Sequence, residues 1–218
     1  MQNDDLLQRI AAKNANIAEF VKIAVDDEGQ RAEIVKQLLT HKDIMVYYHC
    51  YSIVDQASAA RPELFYQYWN DFAALLHHQN SYHRDIGLTI IANLSAADSD
   101  RRFPGIMENY LNHINDPKFM TALCMVRNCR KIIRNQPDLR ERIIDFLIGA
   151  DDRCNFTNKQ KALLRCDIIE VFDEVYEITK NQKRIEDFVQ NEINSISPKS
   201  RKTAKAFMKK HGLSPRSA

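Results

Sequence analysis

The chain has 218 residues, with 31 Lys and Arg against 29 Asp and Glu, and only 5 Gly and 6 Pro. Those two breakers make up about 5% of the chain where roughly 12% is usual, which excludes the turn-rich all-β folds. The glycines, at 29, 87, 105, 149 and 212, never come closer than 18 residues, so neither a GxGxxG nor a Walker-type phosphate loop can form.

The chain opens Met1-Gln2-Asn3-Asp4-Asp5, with acids where a secretory leader carries bases, and no apolar run approaches the ~20 residues of a membrane helix. A cytoplasmic protein with no membrane partner is expected. Apolar residues then recur with a period near 3.6, predicting helices over 4–13, 15–25, 28–39, 42–59, 62–77, 81–95, 101–114, 117–135, 138–148, 158–179, 181–193 and 198–210. In 81–95, for instance, Ile86, Ile90, Ile91 and Leu94 form one stripe. Asp116-Pro117 and Ser197-Pro198 each offer an N-cap acceptor followed by Pro at the first helical position. Thr157 and Gln160 have capping-box spacing.

Between these helices the loops are short, and no Pro- or Ser-rich linker divides the chain. One domain over 1–218 is expected, with capping helices in 1–27, repeats over 28–196 and a basic capping helix and tail over 197–218. The five cysteines (50, 124, 129, 154, 166) lack a CxxC pair and read as reduced core thiols, with Cys154, in a polar segment, the one candidate for exposure.

The breakers recur. Pro62-Glu63-Leu64 and Pro137-Asp138-Leu139 are one phrase repeated 75 residues apart, and Pro117 and Pro198 lie 81 apart, so four prolines are expected to mark helix starts spaced by multiples of a unit. Blocks beginning at Val46, His83, Thr121 and Leu164 align with one another, with the polar stretch 151–157 lengthening the last spacing. With Asp116-Pro117, with Arg84 and Arg165, and with the two Pro-acid-Leu phrases, residues 28–211 resemble the HEAT and armadillo class of helical repeats. His49 and Asp167 depart from the pattern at buried-type positions, and Arg127 does not stand where that family's Arg would. The resemblance implies an all-α fold, an α-α superhelix of four to five helical pairs, whose second helices line a concave face that binds a protein or a nucleic acid.

Charge patterning adds detail. Arg127, Arg130, Lys131 and Arg134 share one helix face, and Glu170, Asp173, Glu174 and Glu177 repeat that spacing 43 residues later. In a parallel stack these would stand side by side, as an inter-repeat ladder, as a recognition surface, or as both. After Glu192 come seven bases (Lys199, Arg201, Lys202, Lys205, Lys209, Lys210 and Arg216) and no acid. They suit a cationic capping helix with Ala204, Phe207 and Met208 inward, or a contact to phosphate. His77, His78 and His83 lie close together but lack metal-ligand spacing. In the aromatic run, Phe65, Trp69 and Phe72 are spaced as core, leaving Tyr66 and Tyr68, with Tyr47 and Tyr48, as an anchor patch.

No catalytic constellation, cofactor loop or metal set stands out. The expectation is a non-enzymatic scaffold or adaptor that binds another protein through Arg127, Arg130, Lys131, Arg134, Glu170 and Glu174, with Asp85, Thr89 and Asn93 continuing the surface. The alternative is a nucleic-acid-binding protein resembling the HEAT-fold alkylation-repair glycosylases, and a helical-repeat lyase or enzyme subunit is a third.

Overall fold

The computed structural model describes residues 2–214, with side chains from Leu6 onward. Arg216 and the end of the basic tail lie outside the described residues, as do the side chains of Asp4 and Asp5. Among the described residues the chain is all helical, with twelve α-helices and no strand. They are α1 (Gln2–Ala11), α2 (Ile17–Asp26), α3 (Glu28–Thr40), α4 (Ile44–Ala60), α5 (Trp69–Leu75), α6 (Ser81–Leu94), α7 (Phe103–Leu111), α8 (Phe119–Asn135), α9 (Arg140–Ile148), α10 (Asn158–Asp173), α11 (Gln182–Glu192) and α12 (Pro198–Lys210). None of the described helices is long and apolar enough to cross a membrane.

Packing follows a simple order. Helices α4, α6, α8, α10 and α12 each lie against the next in that series, while α3 backs α4, α5 backs α6 and α9 backs α8. The 3₁₀ turn Asn112–Asn115 that ends α7 also packs on α8, and α11 packs on α10 and α12. At the amino end α1 and α2 both close on α4. Helix α6 sits in the middle of this order, and every residue from Ile86 to Leu94 is buried. It needs no amphipathic stripe because it has neighbours on three sides. Each fully buried Ile or Leu on it contributes about 1.5–3 kcal/mol of burial. At Gly87 the α5 backbone comes so close that an added Cβ would lie 2.9 Å from the Phe72 carbonyl oxygen, so the seam is built around a missing side chain.

Helix starts are capped as their chemistry dictates. Asp27 accepts from the Gln30 amide, Asp43 from Met45 and Asn80 from Tyr82, at 2.8–3.0 Å. Thr157 and Gln160 form the expected capping box, and Ser197 caps α12 with Pro198 in its first turn. The other prolines correct the expectation. Pro62 opens a 3₁₀ turn, and the helix expected over 62–77 is two 3₁₀ turns followed by the short α5. Pro137 lies in a turn before α9. Pro117 stands outside α8, because the Asp116 carboxylate accepts from the Lys118 amide at 2.8 Å and bends the chain before the helix begins. The helix expected over 158–179 ends at Asp173 and continues only as a 3₁₀ turn, Tyr176–Ile178.

Pro104 and Gly105 fall in the first turn of α7, whose amides are capped from a distance. Asp98 accepts from the Arg102 and Phe103 amides, both at 2.8 Å, and from the Tyr66 hydroxyl at 2.7 Å. Phe65, Trp69 and Phe72 are buried as expected. Cys154 is not exposed: its side chain joins the core with 4% of its surface accessible.

Candidate binding groove and its charged margin

The series α4–α6–α8 carries two different surfaces. Among the described residues, six of the eight large apolar side chains left exposed (Ile44, Met45, Tyr48, Tyr82, Met120 and Leu163) fall in the first two turns of α4, α6, α8 or α10. On α8 and α10 the paired bases and acids of the ladder lie farther along, from Arg127 and Asp167 onward.

A groove of about 540 Å³ crosses the first three helices. From α4 come Ile44, Tyr47, Tyr48 and Tyr51, at i, i+3, i+4 and i+7, which places all four on one face. Helix α6 adds Tyr82, Asp85 and Ile86, and α8 adds Met120, Cys124, Arg127 and Asn128. Tyr82 is 69% exposed, Ile44 67%, Met120 60% and Tyr48 56%. Tyr47 is held by stacking on His83 at 5.3 Å, and His83 packs in turn on His78. Burial, aided by His78, lowers the His83 imidazole below its usual range. Burial also pushes the Tyr51 hydroxyl up to about 12 and the Cys124 thiol up to about 11, so neither is a ready nucleophile at neutral pH.

Asp85 is the anomaly of this surface. Its Oδ1 is shut off from solvent without a hydrogen bond of normal geometry, as is the Thr121 hydroxyl in the same seam. Burial raises its carboxyl above the usual carboxylate range, against the pull of the nearby Thr121 hydroxyl. Its sequence neighbour Arg84 offers little, since that guanidinium is spent on both oxygens of Asp116 at 2.7 Å and on the His78 and Gln79 carbonyls.

The charged margin is a ladder, in a different register from the expected one. Arg127 donates to Asp167 at 2.7 Å, Arg130 to Glu170 at 2.9 Å, and Arg134 pairs with Glu174. Each acid lies 40 residues after its base, not 43, so α10 is displaced against α8 by about one helical turn. Lys131 turns the other way, donating to Asn93 at 2.6 Å with Asp55 at 4.0 Å. Asp173 and Glu177 face α12, where Lys210 lies 2.7 Å from Asp173 and His211 bridges both acids at 2.8 Å. Although burial works upward on Asp173, Lys210 and His211 hold its carboxyl below the usual range.

The nine residues expected at the binding surface therefore divide. Arg127, Arg130, Lys131, Arg134, Glu170 and Glu174 are brought together, but paired with one another or with neighbours. Thr89 and Asn93 are buried rungs between helices: Asn93 donates to the Asp55 carboxylate at 2.9 Å and to Ser58, and Thr89 accepts from Asn128 at 3.3 Å. Of the nine, only Asp85 and Arg127 line the groove. Asp167, with 2% of its surface accessible, has the partners that a buried carboxylate requires, Arg127 and Lys199. His49 is half-buried and bonds through Nδ1 to the Ile10 carbonyl, tying α1 to α4. Tyr66 lies away from the groove, on Asp98 and under Arg102, so the expected four-tyrosine patch is replaced by Tyr47, Tyr48, Tyr51 and Tyr82.

Cys166, Asp167 and Glu170 place ligand atoms within 4.8 Å of one another. Arg127, Lys199 and Arg130 already occupy the two carboxylates, and the Cys166 sulfur lies 3.2 Å from the Thr203 hydroxyl. A metal there would have to displace three cations. Set against protein-family models, curated proteins and solved structures, the chain finds no match.

Proposed function

We propose that the chain is a helical-repeat scaffold of HEAT-like type that binds a segment of a partner protein in the α4–α6–α8 groove. The observation that carries this reading is the set of apolar side chains, Ile44, Tyr48, Tyr82 and Met120, held out into solvent around one groove. Large contiguous apolar surface is rare on a protein without a partner, and tyrosine is favoured where one binds. The repeat reading is supported by the serial packing of α4 to α12 and by a recurring bond. Arg84 of α6 reaches forward to Asp116 in the loop before α8, and Arg165, at the matching place on α10, reaches forward to Glu192 at the end of α11. The ladder, on this reading, sets the spacing of the helices and leaves the groove as the contact surface. Five free cysteines suit a reducing compartment such as the cytoplasm.

The test is a selection of random peptides on the intact protein, with a Tyr48→Ser/Tyr82→Ser variant as counter-target. Sequences enriched on the native groove and lost on the variant support the reading. Enrichment that is equal on both places the binding surface elsewhere. A nucleic-acid reading has one supporting feature, Lys202, Lys205 and Lys209, which are exposed on α12 and for which no pairing occurs among the described residues. Binding of that kind would weaken steeply between about 50 and 200 mM salt.

A further inference from the structure

We infer that the groove is selective for a positively charged, weakly hydrated side chain, an alkylated lysine ammonium carried on the partner segment, held by Asp85 and the tyrosines of α4 and α6. This inference rests on the groove being the partner site and specifies what enters it. Charge complementarity is the first argument. Asp85 lines the groove without an ion pair among the described residues, its Oδ1 shut off from solvent near the Thr121 hydroxyl, while its sequence neighbour Arg84 is engaged with Asp116 and Arg127, the other charged residue of the groove, with Asp167. A carboxylate without a cation in an apolar setting is costly unless a ligand supplies the missing charge.

The second argument is the chemistry of the walls. Four tyrosines, 47, 48, 51 and 82, line the same groove as that carboxylate. Faces of aromatic rings attract cations, most strongly when the cation sheds its water easily, as an alkylated ammonium does and a bare one does not. A groove meant only for apolar side chains gains nothing from an unpaired acid, and an anionic segment would be repelled by it. At about 540 Å³ and across three helices, the space also exceeds what one ammonium group fills, leaving room for flanking residues against Ile44 and Met120.

The experiment follows tyrosine ring signals by NMR on the full chain. Tetramethylammonium chloride is compared with sodium chloride and with tert-butanol, a neutral molecule of similar shape. Saturable shifts confined to Tyr47, Tyr48, Tyr51 and Tyr82 are expected with tetramethylammonium alone, and at least a tenfold loss of affinity in Asp85→Asn, with thermal unfolding showing that the variant is folded. Binding by tert-butanol as strong as that of the cation, or undiminished binding to Asp85→Asn, would overturn the inference. A short peptide with central trimethyllysine should bind at least tenfold tighter than its norleucine counterpart, and Tyr82→Ala should reduce that ratio. Equal binding of the two peptides overturns the inference. If peptides from the selection need Tyr48 and Tyr82 while no ammonium probe binds, cation recognition is refuted and the groove stands. If the ammonium binds while no peptide does, the scaffold reading fails instead.

Discussion

Removing both cations from Asp167 should cost much more than the sum of removing each. The carboxylate has 2% of its surface accessible and two cationic partners, Arg127 at 2.7 Å and Lys199 at 3.3 Å. Burial on its own would lower the Lys199 ammonium, and Asp167 beside it acts the other way, so that the ammonium is raised. Arg127→Ala or Lys199→Ala alone leaves one cation in place, and the lost side chain was about half exposed, so each should cost about 1 kcal/mol. The double variant strands a buried charge, for which about 3–5 kcal/mol is typical. The pair should thus be non-additive by at least ~1 kcal/mol. In an Asp167→Asn background both pairs are already gone and no charge is stranded, so the same double change should cost about 1 kcal/mol or less. Urea denaturation at neutral pH, read by both helical and aromatic signals, measures all of these. Equal costs of the double change in the Asp167 and Asp167→Asn backgrounds would refute the reasoning.

Gly87→Ala should destabilise by about 1–3 kcal/mol, because its Cβ meets α5 backbone, whereas Gly105→Ala, which meets nothing within 4 Å, should stabilise by about 0.4–1 kcal/mol; thermal melts of both decide it. Asp173→Asn should cost about 1 kcal/mol at pH 7. Since the Asp173 carboxyl is held below its ordinary value of 3.8, that stabilisation is complete above 3.8 and is lost as pH falls through the lowered value, so the two melting curves should converge on acidification. Asp85 has the opposite sign: its raised carboxyl favours the protonated fold, so Asp85→Asn should raise Tm at neutral pH, with the gain vanishing as pH falls toward 3.8. The native protein should react slowly with a thiol reagent, since burial raises the thiols of Cys50, Cys124, Cys129, Cys154 and Cys166, and urea should release all five; a fast native thiol at Cys154 would contradict its burial.

Helix number and order were legible because the 3.6-residue pattern is long and rarely broken. What failed were the places where a polar side chain bends the chain before a helix begins. Asp116 is as good a turn former as an N-cap, and only the Lys118 amide it accepts from decides between the two. Asp98 caps α7 across the irregular stretch 99–102, a pairing with no fixed spacing to search for. The ladder was legible in kind, since the like-spaced bases of α8 and acids of α10 do meet. Its register was not, because aligning apolar blocks fixes which face each helix buries and leaves open an axial slide of one turn. The groove had a signal in the run Ile44, Tyr47, Tyr48 and Tyr51, one face by spacing alone. That it meets Tyr82 and Met120, and not Tyr66 and Tyr68, follows from the order in which α4, α6 and α8 pack. The burial of Cys154 is not legible, because a polar local sequence says nothing about what distant helices place over it.

The most direct measurement of binding in the groove is the position of contact itself, read from ring signals assigned to each tyrosine while a peptide recovered from the selection is titrated in. Shifts at Tyr47, Tyr48, Tyr51 and Tyr82, with Tyr110 and Tyr176 unmoved, are the expected result. Shifts centred on Tyr176, which packs against His211 beside the ladder and α12, would contradict it and move the binding surface to the charged end of the molecule.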